Sequence, residues 1–272
     1  MRAPLFLISL ALSSAGCSDA QDYKEKTGVT DSAAPDAAAT AADGDARTQD
    51  ARVIEEETER YIFAYSWPRE VGANPDLVSV LEADASAIRD ELKVEADDLW
   101  QSAEGQDWEP RQVSSSKEWQ VVADIPGYLS LSGRITSYSG GAHGMYGLQS
   151  LVWDKSAKKA MDGIALFRSP VALEQALGSA LCDSLDKARE TKRGIPVDRG
   201  GDAFFDQCPA VNEASVLIGS SDGKTFNRIA VYFGPYVAGP YAEGDYELDF
   251  PVTSAVIDAV KPEFVQAFSV RR

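Results

Sequence analysis

The residues best suited to chemistry lie in one glycine-rich stretch, Tyr138-Ser-Gly-Gly-Ala-His-Gly-Met-Tyr146, which holds the only histidine of the chain, His143. A hydrolase could use this histidine with Ser137 or Ser139 and one of many acids, since triad partners need only meet in space. No nucleophile elbow, Walker loop or dinucleotide fingerprint accompanies it. We therefore expect a structural hairpin histidine, no catalytic residue and no cofactor.

The segments on either side of this stretch predict strands that would position it. Upstream, Leu129, Leu131, Gly133 and Ile135 alternate with polar residues, and downstream 148–153 is strand-like. A period of two indicates a strand with one buried face, and glycine suits the tight joint of a hairpin. The loop between these strands is accordingly a place where recognition could occur.

The first 17 residues have the layout of a bacterial lipoprotein signal. Met1-Arg2 is followed by an apolar run, residues 5–12, that is too short to span a bilayer. The run ends in Ser14-Ala15-Gly16-Cys17, which resembles a lipobox, although leucine is more usual than Ser14. We interpret Cys17 as a lipid-modified N-terminus anchored by several acyl chains, such as palmitate. An ordinary cleaved signal is the alternative.

Ser18, rather than aspartate, follows the cysteine, which favours the outer membrane of a Gram-negative envelope, with the protein facing the periplasm. Residues 18–50 contain almost no large apolar side chain and should form a disordered tether.

Two further cysteines, Cys182 and Cys208, remain after the proposed anchor. An even pair in an oxidising compartment is most often a disulfide. Two thiols and one distant histidine suit a metal poorly, so no metal is expected.

The rest of the chain alternates strand and helix patterns. Asn74-Pro75-Asp76 predicts the start of a long helix, and Ser169-Pro170 predicts the start of a second one with the apolar face Leu173, Leu177, Leu181 and Leu185. Strands are predicted near 61–67, 214–218, 226–233 and 245–250. We expect an α+β fold: an antiparallel sheet packed on two main helices, in two closely associated subdomains, 51–135 and 136–272.

The chain is strongly acidic, with a net charge of −17. Residues 51–272 carry a net charge of −13, because the first 50 residues hold eight acids and four bases. Such a surface repels nucleic acid and anionic lipid, so the only membrane contact we expect is through the lipid anchor. It favours a basic partner, although acidity can also serve solubility alone.

Three segments occur in an order and spacing that resemble a known family: Gly140-Gly-Ala-His-Gly144, Asp162-Gly-Ile-Ala-Leu-Phe167, and the run from Tyr232 to Gly244 followed by Phe250-Pro251. They are similar to the C-terminal domain of RsiV-type lysozyme-sensing anti-sigma factors. The stretch from about Tyr61 to Leu131 resembles the smaller domain that precedes it in relatives such as the deacetylase PdaC.

This resemblance implies an extracytoplasmic fold that binds lysozyme or a wall fragment. It does not imply the anti-sigma role, because the sigma-binding part is missing, nor deacetylation, because one histidine cannot supply that metal site. We therefore expect a non-enzymatic envelope lipoprotein that binds a protein or cell-wall ligand, such as a basic lysozyme-like protein or a peptidoglycan fragment. A hydrolase acting on wall material is the alternative.

The candidate ligand-binding residues are His143 and four tyrosines of the two glycine-rich loops: Tyr138, Tyr146, Tyr236 and Tyr241. Interface anchors tend to be aromatic. The same tyrosines could instead pack inward as core, so both interpretations stay open at this level.

Overall fold

The computed structural model describes residues 50–201 and 203–270. The predicted signal peptide, the lipidation site Cys17 and residues 18–49 of the predicted tether lie outside this part. Residues 50–201 and 203–270 belong to one compact unit. Among the helices of the described part, none has both the length and the apolar character needed to cross a membrane.

A six-stranded sheet forms the first layer, with its strands in chain order. All neighbouring strands are antiparallel except β2 and β3, which run parallel and are therefore joined by a helical crossover. The strands are β1 (Arg52–Glu57), β2 (Tyr61–Trp67), β3 (Val113–Ile125), β4 (Tyr128–Tyr138), β5 (Met145–Asp154) and β6 (Lys159–Met161).

The crossover contains a short helix, α1 (Arg69–Gly72), and the long helix α2 (Pro75–Ala103). The predicted helix start is confirmed, with proline in the first turn. The expected side-chain cap is not made, because the Asn74 amide donates to the Glu70 carbonyl at 2.8 Å. The buried stripe of α2 packs on the aromatic face of the sheet, and this core includes Leu77, Leu81, Leu92, Phe63, Tyr65, Trp67, Trp119 and Trp153.

A buried polar network crosses this core. The Trp119 indole donates to the Tyr65 hydroxyl at 2.7 Å, which donates to the Asp84 carboxylate of α2 at 2.6 Å. Lys117, 3% exposed, donates to the same carboxylate at 2.7 Å. Burial and the Asp84 carboxylate raise the pKa of Tyr65. Because each of these contacts satisfies a buried polar group, the network fixes how α2 sits on the sheet.

The second layer is a three-stranded antiparallel sheet with three helices. The predicted second helix is broken in two at Gly178, whose φ of +58° ends one helix before the next begins. The predicted cap is confirmed, since the Ser169 hydroxyl accepts from the Ala172 amide at 3.0 Å. The elements are α3 (Pro170–Leu177), α4 (Ser179–Arg193), β7 (Ser215–Gly219), β8 (Arg228–Phe233), β9 (Tyr246–Pro251) and α5 (Ser254–Ala259).

The two sheets meet where β7 lies against β5 and the 3₁₀ turn Gly163–Leu166. The Ser215 hydroxyl donates to the Leu148 carbonyl, and the Gly163 amide donates to the Ser150 hydroxyl at 3.1 Å. A Cβ on Gly163 would lie only 2.1 Å from the Val216 carbonyl oxygen, so this approach requires glycine. The predicted α+β fold is confirmed, and the proposed subdomain border between 135 and 136 falls inside β4.

Candidate functional site

The glycine loop, residues 139–144, is the turn of the β4–β5 hairpin. The two strands pair out to Ser137 and Met145, which confirms the predicted hairpin. Gly140 has a φ of +82°, a conformation that side chains disfavour. At Gly144 a Cβ would lie 2.7 Å from the Ser137 carbonyl oxygen. The loop is therefore held in one shape by its glycines.

The tyrosine loop, residues 234–245, connects β8 to β9 and approaches the glycine loop. Its Tyr236 has a φ of +69° and is 47% exposed. A non-glycine residue in the left-handed region is uncommon and is a reason to look for function. Here it directs a large aromatic ring toward solvent at the tip of a loop.

The two loops join through an aromatic cluster, which we define as His143, Tyr146, Tyr236 and Tyr241. The His143 ring stacks on Tyr241, with ring centroids 3.9 Å apart. Tyr236 lies tilted beside Tyr241 at 5.6 Å, and Tyr146 meets Tyr241 edge-on at 6.2 Å. The Tyr241 hydroxyl also donates to the Gly144 carbonyl at 2.8 Å. Tyr241 is thus the central ring of the cluster.

Hydrogen bonds determine the neutral tautomer of His143. Nδ1 lies 3.0 Å from the Gly144 carbonyl oxygen, which can only accept, so Nδ1 carries the proton. Nε2 then accepts from the Tyr236 hydroxyl at 3.4 Å. Neither Ser137 nor Ser139 is a partner of the ring. The histidine is exposed; its Nδ1 makes a contact within the glycine loop, and its Nε2 links this loop to the tyrosine loop.

Four of the five predicted binding residues meet in this cluster, and Tyr138 does not. Its hydroxyl donates to the Gly141 carbonyl at 2.9 Å and accepts from Arg111 at 3.3 Å. Tyr138 therefore supports the glycine loop together with Arg111, in the connection between α2 and β3, instead of presenting its ring beside Tyr241.

The tyrosine loop is held by the last turns of α4. Arg189, 0% exposed, donates from Nε to the Ala238 carbonyl and from Nη2 to the Gln207 carbonyl, both at 2.9 Å. It also contacts Asp186 at 3.3 Å. Burial lowers the pKa of Arg189, as does the charge of Arg193, while Asp186 opposes them. The guanidinium is a rigid fork, which suits one side chain that must satisfy several fixed carbonyls.

Two further cations of α4 complete this support. Arg193 bridges Glu243 at 2.9 Å and Asp206 at 2.5 Å, and Lys192 donates to the Glu243 carbonyl at 2.8 Å. Burial raises the pKa of Glu243, but hydrogen bonds from Arg193 and Tyr246 outweigh it and the net pKa is lowered. The loop that carries Tyr236 and Tyr241 is consequently attached to a helix by three basic side chains.

The predicted disulfide between Cys182 and Cys208 is confirmed, with the two Cα atoms 5.6 Å apart. It ties the first turn of α4 to the segment that contains Asp206, the partner of Arg193. The same helix therefore braces both the segment before β7 and the tyrosine loop.

The described residues contain no group of three or more His, Cys, Asp or Glu side chains placed to hold a metal ion. The chemistry that the cluster offers is ring stacking, hydroxyl hydrogen bonding and one imidazole. These are the groups found at recognition surfaces, where aromatic side chains combine an apolar body with a polar tip.

Comparison with known proteins finds a family model that is similar to part of the chain. Residues 54–146 match the family model described as Deacetylase PdaC, a stretch that ends at Tyr146 just beyond the glycine loop. The PdaC-type resemblance is thereby supported, and the RsiV-type resemblance of residues 136–272 stays a prediction. No curated protein matches the chain.

Two solved structures of the DUF3298 family are similar to this chain. The protein from Bacteroides fragilis is 15% identical with a TM-score of 0.45, and the match covers 80% of this chain and 95% of that one. The protein from Pseudomonas aeruginosa is 16% identical with a TM-score of 0.45, and the match covers 81% of this chain and 97% of that one.

Proposed function

We propose that this chain is a non-catalytic binding protein of the cell envelope, and that its aromatic cluster contacts a basic protein ligand of the lysozyme type. The observation that carries the proposal is the stack of His143, Tyr241 and Tyr236 on two braced loops. His143 and Tyr236 are exposed and Tyr241 is half-buried. Rings held by a rigid scaffold lose little freedom on binding, which makes them good interface anchors.

Charge supports a basic partner. Residues 51–272 carry a net charge of −13. Complementary charge on a partner speeds association and makes the association sensitive to salt. The choice of a lysozyme-like protein as this partner follows from the RsiV-type resemblance of residues 136–272. A wall glycan is the competing ligand.

The hydrolase alternative has less support. A general base must reach the proton that it abstracts, yet His143 Nε2 accepts from the Tyr236 hydroxyl, and no serine of the described residues forms a hydrogen bond with the ring. His143 is therefore assigned to binding.

The envelope location is part of the proposal and depends on lipidation of Cys17. Cys17→Ala should move the protein from the membrane fraction to the soluble periplasmic fraction, because the acyl chains supply the stable attachment. Fractionation of cells with immunoblotting measures this. A variant that stays with the membrane would contradict the anchor.

For the binding site, we expect Tyr241→Ala to weaken binding of hen lysozyme roughly 30-fold, the scale of a single interface hot spot of about 2 kcal/mol. The loss of the central ring removes the stack under His143 and the bond to Gly144. Titration of residues 47–272 with lysozyme, at low and at physiological salt, measures the change. The single histidine gives a second readout, since its ring proton resonance reports the cluster alone.

The glycine loop provides a matched pair of controls. Gly144→Ala would push a Cβ against the Ser137 carbonyl, whereas Gly141→Ala meets nothing within 4 Å. Binding should fall in the first variant and persist in the second. Absence of lysozyme binding in the folded wild type at either salt would end the proposal, and saturable binding of chitotriose alone would transfer it to a glycan.

A further inference from the structure

A groove lies where the open face of the six-stranded sheet meets the outer face of the three-stranded sheet. Its volume is about 340 Å³, within the range of small-molecule sites. The lining mixes polar and apolar residues of both sheets, and its polar members are Gln120, Ser132 and Arg134 on one wall and Arg228, Glu247 and Asp249 on the other.

Two charges of opposite sign in this groove make no ion pair within the described residues. Arg134, on β4, faces Glu118 across the strands, but the Glu118 carboxylate accepts from the Gln120 amide at 3.1 Å. Glu247, on β9, is exposed and has no cationic partner in the same part of the chain. By contrast, the groove's other charged pair is complete, because Arg228 donates to Asp249 at 3.0 Å.

The groove leads toward the aromatic cluster. Tyr146 lies two residues before Leu148 on β5, on the same strand face, and Leu148 lines the groove. Tyr232, on β8, continues the row of Arg228 and Ala230, which also line it. The Tyr232 hydroxyl is buried beside the Asp245 carboxylate, and burial together with this carboxylate raises the pKa of Tyr232.

We propose that this groove is a second binding site, which takes a short peptide whose carboxylate binds Arg134 and whose ammonium group binds Glu247. An arginine presents a planar fork that matches a carboxylate, and the exposed Glu247 supplies the opposite charge for the amine. Gln120 and Ser132 add neutral donors and acceptors for the peptide backbone. The site goes beyond the proposed function, since it requires no protein partner.

The test uses trialanine, trialanine amide, which lacks the carboxylate, and N-acetyltrialanine, which lacks the ammonium group. Calorimetric titration of the purified protein should show saturable binding of trialanine and about tenfold weaker binding of each blocked form, the scale of one charge-assisted hydrogen bond. In Arg134→Gln the acid and the amide should bind equally, and in Glu247→Gln the free and acetylated amines should bind equally. This pairing of protein and ligand changes isolates each contact.

Arg168→Gln is the matched control, because Arg168 is exposed and lies outside the lining of the groove. It should leave all three affinities unchanged. No binding of trialanine up to about 10 mM, well above the concentration where binding is worth about 4 kcal/mol, would overturn the proposal. Equal affinity for the acid and its amide in the wild type would also overturn it. The same samples are also titrated with lysozyme. If lysozyme binds while the peptides do not, the groove proposal fails and the proposed function stands.

Discussion

Arg189→Met should destabilise the protein by about 3–5 kcal/mol and lower its Tm by about 10 °C. The guanidinium is fully buried, and its removal leaves the carbonyls of Ala238 and Gln207 without their donor, while Asp186 keeps Arg199 as a partner. Methionine fills part of the volume but donates no hydrogen bond. Thermal unfolding followed by circular dichroism measures the loss.

The matched control is Arg199→Gln. Arg199 also binds Asp186, but its side chain is 40% exposed, and an exposed ion pair contributes about 1 kcal/mol or less. Its Tm should change little. If Arg189→Met unfolded at the wild-type temperature, the assignment of Arg189 as the support of the tyrosine loop would be wrong. Arg189→Lys should also be destabilised, because a lysine cannot reproduce the fork.

Local patterns in the sequence predicted the parts of the site but not how they meet. The alternation around Leu129–Ile135 predicted β4, the glycines predicted the hairpin, and Ser169-Pro170 predicted a capped helix. Each of these depends on spacing of a few residues, which is the range over which backbone periodicity acts. Tyr241 stacks on a histidine that is 98 positions earlier, and no local period reports such a contact.

The position of Arg189 in the sequence indicates a buried charge. The apolar face of the second helix was predicted from Leu181 and Leu185, and Arg189 is the next position at the same spacing of four residues. A charge on the buried stripe of a helix indicates a paired, desolvated group. Its carbonyl partners in the tyrosine loop could not have been foreseen, because backbone groups leave no trace in the sequence.

Removal of the disulfide should cost about 3.5 kcal/mol of unfolding free energy on the chain-entropy account, given the separation of 26 residues between Cys182 and Cys208. The double variant Cys182→Ala with Cys208→Ala avoids leaving a single reactive thiol. We expect it to fold with a lower midpoint in urea and a larger denaturant dependence, because the unfolded chain expands when the link is lost.

The same variant tests how α4 supports the recognition surface. Cys208 lies two residues after Asp206, which shares Arg193 with Glu243 of the tyrosine loop. Loss of the covalent tie should loosen this segment and increase amide exchange at residues 204–208 first and at 236–243 second. Lysozyme binding should weaken less than in Tyr241→Ala, because Arg189 still holds Ala238. Unchanged exchange in both segments, with the expected loss of stability, would mean that the disulfide acts only on the unfolded chain.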